Sequence, residues 1–141
     1  MLEKLQKFVD EMKSTSSLNE KKVIIDSIKN NEFITSSLNY TYDPYKKYYV
    51  TSKTCKKNFD LLGHPNTYGS IFTLLDDLAN RVCTGHDAIA NVNRFILENK
   101  QYEDLIFSII DRNLEIRASD SVINKVIPNL IPTFDVALAT K

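Results

Sequence analysis

Cys83 and His86 are the two residues whose types and spacing come nearest to a catalytic pair. They lie close to the start of an expected helix, where backbone N–H groups favour a thiolate. Because cysteine is also common on the apolar faces of helices, a structural thiol is the simpler interpretation. A small enzyme built on these two residues is kept as an alternative.

Other arrangements that carry chemistry are missing from the sequence or badly spaced. The carboxylate pairs Asp76-Asp77 and Glu103-Asp104 are adjacent residues. Neighbours on a helix point about 100° apart, so neither pair converges as a general acid and base. Two cysteines and two histidines give no spacing for a structural zinc site, and no glycine-rich phosphate loop occurs. The sequence therefore predicts neither a catalytic residue nor a metal ligand.

A lysine-rich segment indicates a different chemistry, the binding of phosphate. Between Pro44 and Phe59 there are five lysines and no acidic residue, interleaved with tyrosines. The lysines are Lys46, Lys47, Lys53, Lys56 and Lys57, and the tyrosines are Tyr45, Tyr48 and Tyr49. Lysines with tyrosine hydroxyls suit a nucleic-acid backbone, because each neutralised phosphate releases counterions. The alternative is a solvated loop with tyrosines in the core.

Two expected helix starts offer small and polar residues beside free backbone N–H groups, which favour anions. The candidate contacts are Thr84 and Gly85 at the first start, and Arg117, Ser119, Ser121, Asn124 and Lys125 at the second. The steps at 84 and 118 are 34 residues apart, within a weak echo of apolar positions. This echo predicts either two related helix–turn–helix units or merely helix pairs of similar length. Ser119 is also expected to cap its helix.

The elements that position these residues are expected to be helices. Three glycines and four prolines in 141 residues are few helix breakers, and the apolar spacing is helical throughout. We predict an all-α, compact bundle of about seven to eight helices, built from helix–turn–helix pairs, over residues 1–132. The net charge is zero, so a partner cannot be inferred from global electrostatics. No apolar run approaches the roughly 20 residues of a membrane span, and the two cysteines fit a reducing cytoplasm.

Apolar stripes predict where the helices lie. They cover 2–12, 23–28, 33–42, 71–82, 89–96, 102–114 and 122–127. The stretch 45–66 is interpreted as a short helix over 45–50 followed by a polar connection. Asp43-Pro44 is expected to stop the third helix, and Thr67 or Asn66 to cap the helix that starts near Ile71.

The end of the chain resembles a known module. The run from Asp111 to Pro132 reads DRNLEIRASDSVINKVIPNLIP and is followed by ALA at 137–139. It resembles the end of the N-terminal DNA-binding domain of ATP-dependent DNA ligases, especially of T4-like bacteriophages. There the pattern is R-x-L-x-x-G-A/V-S, a helix with N-K-V, then L-I-P and a short M-L-A link. Upstream, LNYTY at 38–42, YY at 48–49, and TG at 84–85 before AI at 88–89 agree.

The resemblance implies an all-helical domain that holds nicked double-stranded DNA through phosphate and minor-groove contacts, with little base specificity. It matches Thr84, Gly85 and His86 to the first DNA-binding step of the family. It matches to the second step the residues Ala118, Ser119, Ser121, Asn124 and Lys125. Arg117 stands where these ligases usually have glycine. If that position needs a left-handed backbone, arginine costs roughly 1 kcal/mol relative to glycine.

The resemblance also implies parts that lie outside this chain. Residues 133–141 are expected to start a linker to an absent adenylation domain, which an OB-fold domain accompanies. Adenylation needs the lysine of a K-x-D-G motif, and no such motif occurs here. We therefore expect a chain that is inactive alone and holds no cofactor, whereas the intact ligase uses ATP and Mg²⁺. A cytoplasmic monomer without membrane contact is expected.

A helical protein-interaction module without nucleic-acid binding is the alternative from another class. It explains the apolar helices. It does not explain the lysine-rich segment or the resemblance.

Overall fold

The computed structural model describes residues 1–133, which contain eight α-helices, one 3-10 turn and no strand. The all-α prediction and its helix number are confirmed. The helices are α1 (Leu2–Lys13), α2 (Leu18–Ser27), α3 (Glu32–Tyr42), α4 (Ser52–Lys57), α5 (Ile71–Ala79), α6 (Gly85–Glu98), α7 (Glu103–Ile110) and α8 (Asp120–Val126), and the 3-10 turn is Lys100–Tyr102. Apart from Thr133, the expected linker at 133–141 lies outside the described residues.

The helices group into two compact units. The first contains residues 3–46 together with 115–133, and the second contains residues 47–114. Both units have buried aliphatic and aromatic side chains of their own. The predicted DNA contacts are divided between them, so each unit positions its own set.

The first unit contains most of α1, with α2, α3 and α8. Leu5, Phe8, Val9 and Met12 lie on one buried stripe of α1, which is the spacing that predicts an amphipathic helix. The helices α2 and α3 begin with side-chain caps, at Ser17 and Asn31 respectively, whose oxygens accept first-turn N–H groups. The helices α2 and α8 pack against each other.

The second unit is arranged around α6, which packs against α4, α5 and α7. The buried face of α6 includes Ile89, Val92, Phe95 and Ile96, and α7 is buried through residues such as Ile106 and Ile109. The apolar faces of α5, α6 and α7 therefore form this core, and α6 and α7 contact the shorter, lysine-bearing α4.

The prediction for the lysine-rich segment was wrong in its secondary structure. No helix forms over 45–50, where Tyr49 has a left-handed backbone with φ 60°. The predicted polar connection instead contains α4, which Thr51 starts by accepting the N–H of Thr54 at 3.2 Å. Cys55 is the buried residue of α4. One buried side chain produces no apolar periodicity, which explains why the sequence pattern did not reveal this helix.

The predicted bounds of α5 were also too wide. Ser70 caps this helix by accepting the N–H of Phe72, so the prediction of Thr67 or Asn66 was wrong. At the other end Val82 lies beyond the helix and is 69% exposed. The helix ends before this residue because Arg81 adopts a left-handed backbone, with φ 59°.

Candidate nucleic-acid interface

The helix α4 presents three exposed lysines, Lys53, Lys56 and Lys57. The amide of Asn93 on α6 holds the end of α4 and the turn after it. Its Nδ2 donates to the carbonyls of Cys55 at 3.3 Å, Asn58 at 2.9 Å and Leu61 at 3.1 Å. The carbonyls of Cys55 and Asn58 also accept backbone N–H groups, from Asn58 and Leu61 respectively, so the amide adds a second donor to each and ties α6 to the end of α4. It thereby fixes the lysines on a rigid element.

The lysines of this segment do not all have the same surroundings. Lys56 and Lys57 are in the last turn of α4, where cations also stabilise the helix dipole. Lys56 places its Nζ 5.2 Å from the centre of the Phe107 ring. Lys46 instead donates to Asn39 at 2.7 Å and pairs with Asp43 at 3.5 Å. Its ammonium is thus occupied inside the first unit, and a phosphate contact from Lys46 stays a prediction.

Lys47 and Lys53 line an open groove of about 630 Å³ formed by residues 47–53 and 110–112 of the second unit. Arg112 adds a third cation to the lining. The acidic residue there, Asp111, accepts hydrogen bonds from the main-chain N–H and the hydroxyl of Ser52. The Asp111 carboxylate is therefore hydrogen-bonded by uncharged groups. With three cationic side chains and one carboxylate in its lining, the groove has a net positive charge.

Arg81 and Tyr49 form a stacked pair that the sequence interpretation missed. The guanidinium carbon lies 4.2 Å from the centre of the Tyr49 ring, a close cation–π contact. Tyr49 also lines the groove, and 60% of its surface is exposed. Arg81 is 32 residues from Tyr49 in the chain, and no local pattern connects them.

The first predicted helix start lies at α6. Thr84 is the N-cap residue, but its side chain makes no capping hydrogen bond, and Thr84, Gly85 and His86 are all exposed. Gly85 has φ +57°, and a Cβ added to it would meet no atom within 4 Å. Backbone conformation rather than space therefore favours glycine here. The arrangement offers uncapped N–H groups at the positive end of a helix, with Asp87 as the acidic residue of the first turn.

The second predicted start lies at α8 and is capped. Ser119 Oγ accepts the N–H of Val122 at 3.3 Å and lies 2.9 Å from Ser121 Oγ, so the expected cap is confirmed. Arg117 has φ 55°, which is the left-handed backbone that glycine adopts without strain. Ala118 is half-buried, whereas Arg117, Ser119, Ser121 and Lys125 are exposed.

Buried contacts hold this second step in place. Lys21, which is 3% exposed, donates to the carbonyls of Met12 at 2.5 Å and Ile116 at 2.9 Å. Asn124 donates to the Ile131 carbonyl and accepts its N–H, both at 2.9 Å. Asn124 therefore closes the turn after α8, and its predicted DNA contact is untested.

The alternative of a Cys–His enzyme gains no support from the geometry. No hydrogen bond joins Cys83 to His86 within residues 1–133, and Cys55 is fully buried. Burial and the nearby carboxylate of Asp111 raise the pKa of the Cys55 thiol to about 11. Across the described chain, no group of three or more His, Cys, Asp and Glu side chains could hold a metal ion. Over the same residues, no helix is long and apolar enough to cross a membrane.

Comparison with known proteins supports the resemblance. The DNA ligase of Enterobacteria phage T4 is 30% identical over an alignment of 134 positions, which covers 89% of this chain and 26% of that ligase. The DNA ligase of Enterobacteria phage T6 gives the same values. The chain is homologous to one part of these phage ligases. It spans about a quarter of their length.

The fold agrees with solved structures. The structures named Pmar-Lig_Pre and Pmar-Lig_PreS3 both match with a TM-score of 0.67 and 17% sequence identity. The alignments cover 86% and 91% of this chain and 29% and 31% of those chains. At 17% sequence identity, these matches show that the fold is shared and nothing more. No family model matches the chain.

Proposed function

We propose that this chain is the DNA-binding part of an ATP-dependent DNA ligase and holds nicked duplex DNA for nick sealing. The observation that carries the proposal is the homology to one part of the T4 and T6 DNA ligases. The K-x-D-G motif that accepts the nucleotide in this enzyme class does not occur in the 141 residues. A role in positioning DNA therefore fits this region better than the transfer of AMP.

Each unit contributes a set of groups that suits phosphates. In the second unit these are the exposed lysines of α4, Lys47, and the uncapped start of α6. In the first unit they are Arg117, Lys125 and the hydroxyls of Ser119 and Ser121. Lysines, hydroxyls and helix N-termini contact sugar–phosphate backbones and carry little sequence information. The predicted binding is accordingly independent of base sequence.

The wider assignment follows from the same proposal. The intact ligase would contain adenylation and OB-fold domains, use ATP and Mg²⁺, and act as a monomer in the cytoplasm of the bacterial or phage-infected cell. No step of the binding proposal runs through the nucleotide or the metal. The chain's own residues bind the duplex and orient it.

A binding experiment with matched charge reversals tests the proposal. Fluorescence anisotropy of a labelled nicked duplex would be measured at low ionic strength for the parent chain, Lys125→Glu, Lys56→Glu and the control Lys7→Glu. Lys7 is an exposed lysine of α1 outside the predicted contacts, and its reversal changes the net charge equally. We expect the first two changes to weaken binding about tenfold, because each removes a phosphate contact and adds repulsion.

Equal losses for all three variants would contradict the assigned surfaces, because only net charge would then matter. No binding by the parent chain at low salt would contradict DNA binding itself and would favour the protein-interaction alternative.

A further inference from the structure

Two arginines occupy helix-terminal positions that normally favour glycine. At the end of α5, Arg81 N donates to Leu78 O at 3.2 Å and Val82 N to Asp77 O at 2.9 Å. This pair of bonds defines a Schellman cap, whose left-handed C′ residue is usually glycine. Arg81 is that residue, with φ 59°.

The end of α7 repeats the arrangement. Arg112 N donates to Ile109 O and Asn113 N to Ser108 O, both at 2.9 Å. Arg112 is the left-handed residue here, with φ 64°. Since a side chain at a left-handed position strains the backbone, neither cap explains why the residue is arginine. The reason for an arginine at each cap is therefore sought in what the side chains of Arg81 and Arg112 contact.

Both side chains lead to the same groove of the second unit. Arg112 lines it directly. Arg81 stacks on Tyr49, which lines it as well and is itself left-handed, with φ 60°. Together with Lys47 and Lys53, Arg112 gives the groove three lining cations. Arg81 adds a fourth beside it, through its contact with the exposed Tyr49 ring. Three of the left-handed residues, Tyr49, Arg81 and Arg112, thus lie at the groove or beside it, and strained backbone positions cluster at many functional sites.

We propose that this groove binds the sugar–phosphate backbone of one DNA strand, with Arg81 and Arg112 on phosphates and the Tyr49 ring against a deoxyribose. The inference rests on the proposed DNA-binding function and adds a strand-binding site that the lysine pattern did not identify. A guanidinium stacked on an aromatic ring keeps its N–H edge available for bidentate bonds to phosphate oxygens. The open, positively charged groove suits a continuous anionic chain with apolar sugar edges.

The backbone conformation provides a test in which stability and binding change in opposite directions. Arg81→Gly should raise the melting temperature by a few degrees, because glycine suits the left-handed cap. The same change should lower the affinity for a nicked duplex about tenfold, because it removes a bidentate phosphate contact. Arg81→Lys should bind with intermediate affinity. Asn129→Gly is the matched control, since Asn129 is exposed, neutral and left-handed with φ 63°; it should leave the affinity unchanged.

A double-substitution cycle tests the stacked pair. Tyr49→Gly relieves the same kind of strain and should also weaken binding. Combined with Arg81→Gly it should add less than its separate effect, because the two side chains act as one unit. Additive losses would contradict the proposed pair.

The outcomes separate this inference from the proposed function. If Arg81→Gly keeps full affinity while Lys125→Glu weakens binding, the groove is not a DNA site and the general function stands. A lower melting temperature for Arg81→Gly would also overturn the inference, because arginine would then be needed for the cap. If the parent chain binds no duplex, both proposals fail.

Discussion

Asn93→Asp is the substitution that most directly tests how α4 is held. The change replaces the amide nitrogen by an oxygen and keeps the shape of the side chain. In the parent chain that nitrogen faces three carbonyl oxygens at 2.9–3.3 Å, and Asn93 is 8% exposed. The variant carboxylate would face the same oxygens with no proton to donate.

The magnitude follows from the number of donors lost. The amide has two protons for three acceptors, so two hydrogen bonds are lost, each contributing about 0.5–1.5 kcal/mol. We therefore expect a free energy of unfolding lower by about 1–3 kcal/mol at pH 7 from the lost hydrogen bonds, and lower still because the new carboxylate faces carbonyl oxygens. The surrounding carbonyls should raise the pKa of the new carboxyl group, because they favour its protonated form.

The way in which the stability of Asn93→Asp changes with pH shows whether the buried carboxylate is the cause of the destabilisation. A carboxyl whose pKa is raised in the folded state binds protons more tightly there than in the unfolded state, so the variant should recover stability as the pH falls. Urea unfolding at pH 5 and pH 7 would measure this, with Asn93→Leu as the control that loses the same hydrogen bonds without gaining a charge. The free energy of unfolding that Asn93→Leu loses relative to the parent chain should not depend on pH.

Two results would refute this account of α4. One is an Asn93→Asp variant as stable as the parent at pH 7. The other is a variant that is destabilised by the same amount at both pH values. In either case the amide is not the group that holds the lysine-bearing helix.

Three further substitutions or reagents test other parts of the structure. Arg117→Gly should raise the free energy of unfolding by about 1 kcal/mol, because φ is 55°, and should weaken duplex binding; a destabilised variant in chemical unfolding would contradict the left-handed assignment. Ser119→Ala should lower stability by about 1 kcal/mol through loss of the α8 cap, and an unchanged unfolding midpoint would argue against that cap. At pH 8.5 iodoacetamide should modify Cys83, which is partly exposed, whereas Cys55 should react only after unfolding, because its thiol is buried and its pKa is raised to about 11; mass spectrometry of peptides would show the difference.

Helices with a continuous apolar stripe were predictable from the sequence. The stripes of α1 and α6 place four or more buried side chains at helical spacing, and packing of such a stripe dominates helix stability. The helix α4 was not found because Cys55 is its buried residue. The sequence signal for this helix is Thr51, whose hydroxyl caps it, but Thr51 lies among other polar residues that could cap a helix equally well.

The phosphate-binding candidates were only partly predictable, because tertiary contacts decide how each cation is used. Lys46 is occupied by Asn39 and Asp43, which a count of lysines cannot show. Lys21 donates to the carbonyl of Ile116, 95 residues away, and so supports the step at Arg117 without any local pattern.

The arginines of the groove escaped prediction for a different reason. A Schellman cap is recognised in a sequence by its glycine, and Arg81 and Arg112 occupy that position instead. The local pattern therefore gave no sign of where α5 and α7 end. The departure from glycine becomes informative only when the backbone angles are seen beside the groove.

The central claim is that this chain binds the backbone of duplex DNA without reading its sequence. The most direct test is the affinity of the parent chain for two nicked duplexes of unrelated sequence, measured across a range of salt concentrations. If four or more phosphates are contacted, the logarithm of the association constant should fall with the logarithm of salt concentration with a slope of about −4 or steeper, at about 0.9 per phosphate. The two duplexes should give the same line. A slope near zero, a strong preference for one sequence, or no binding at low salt would contradict the claim.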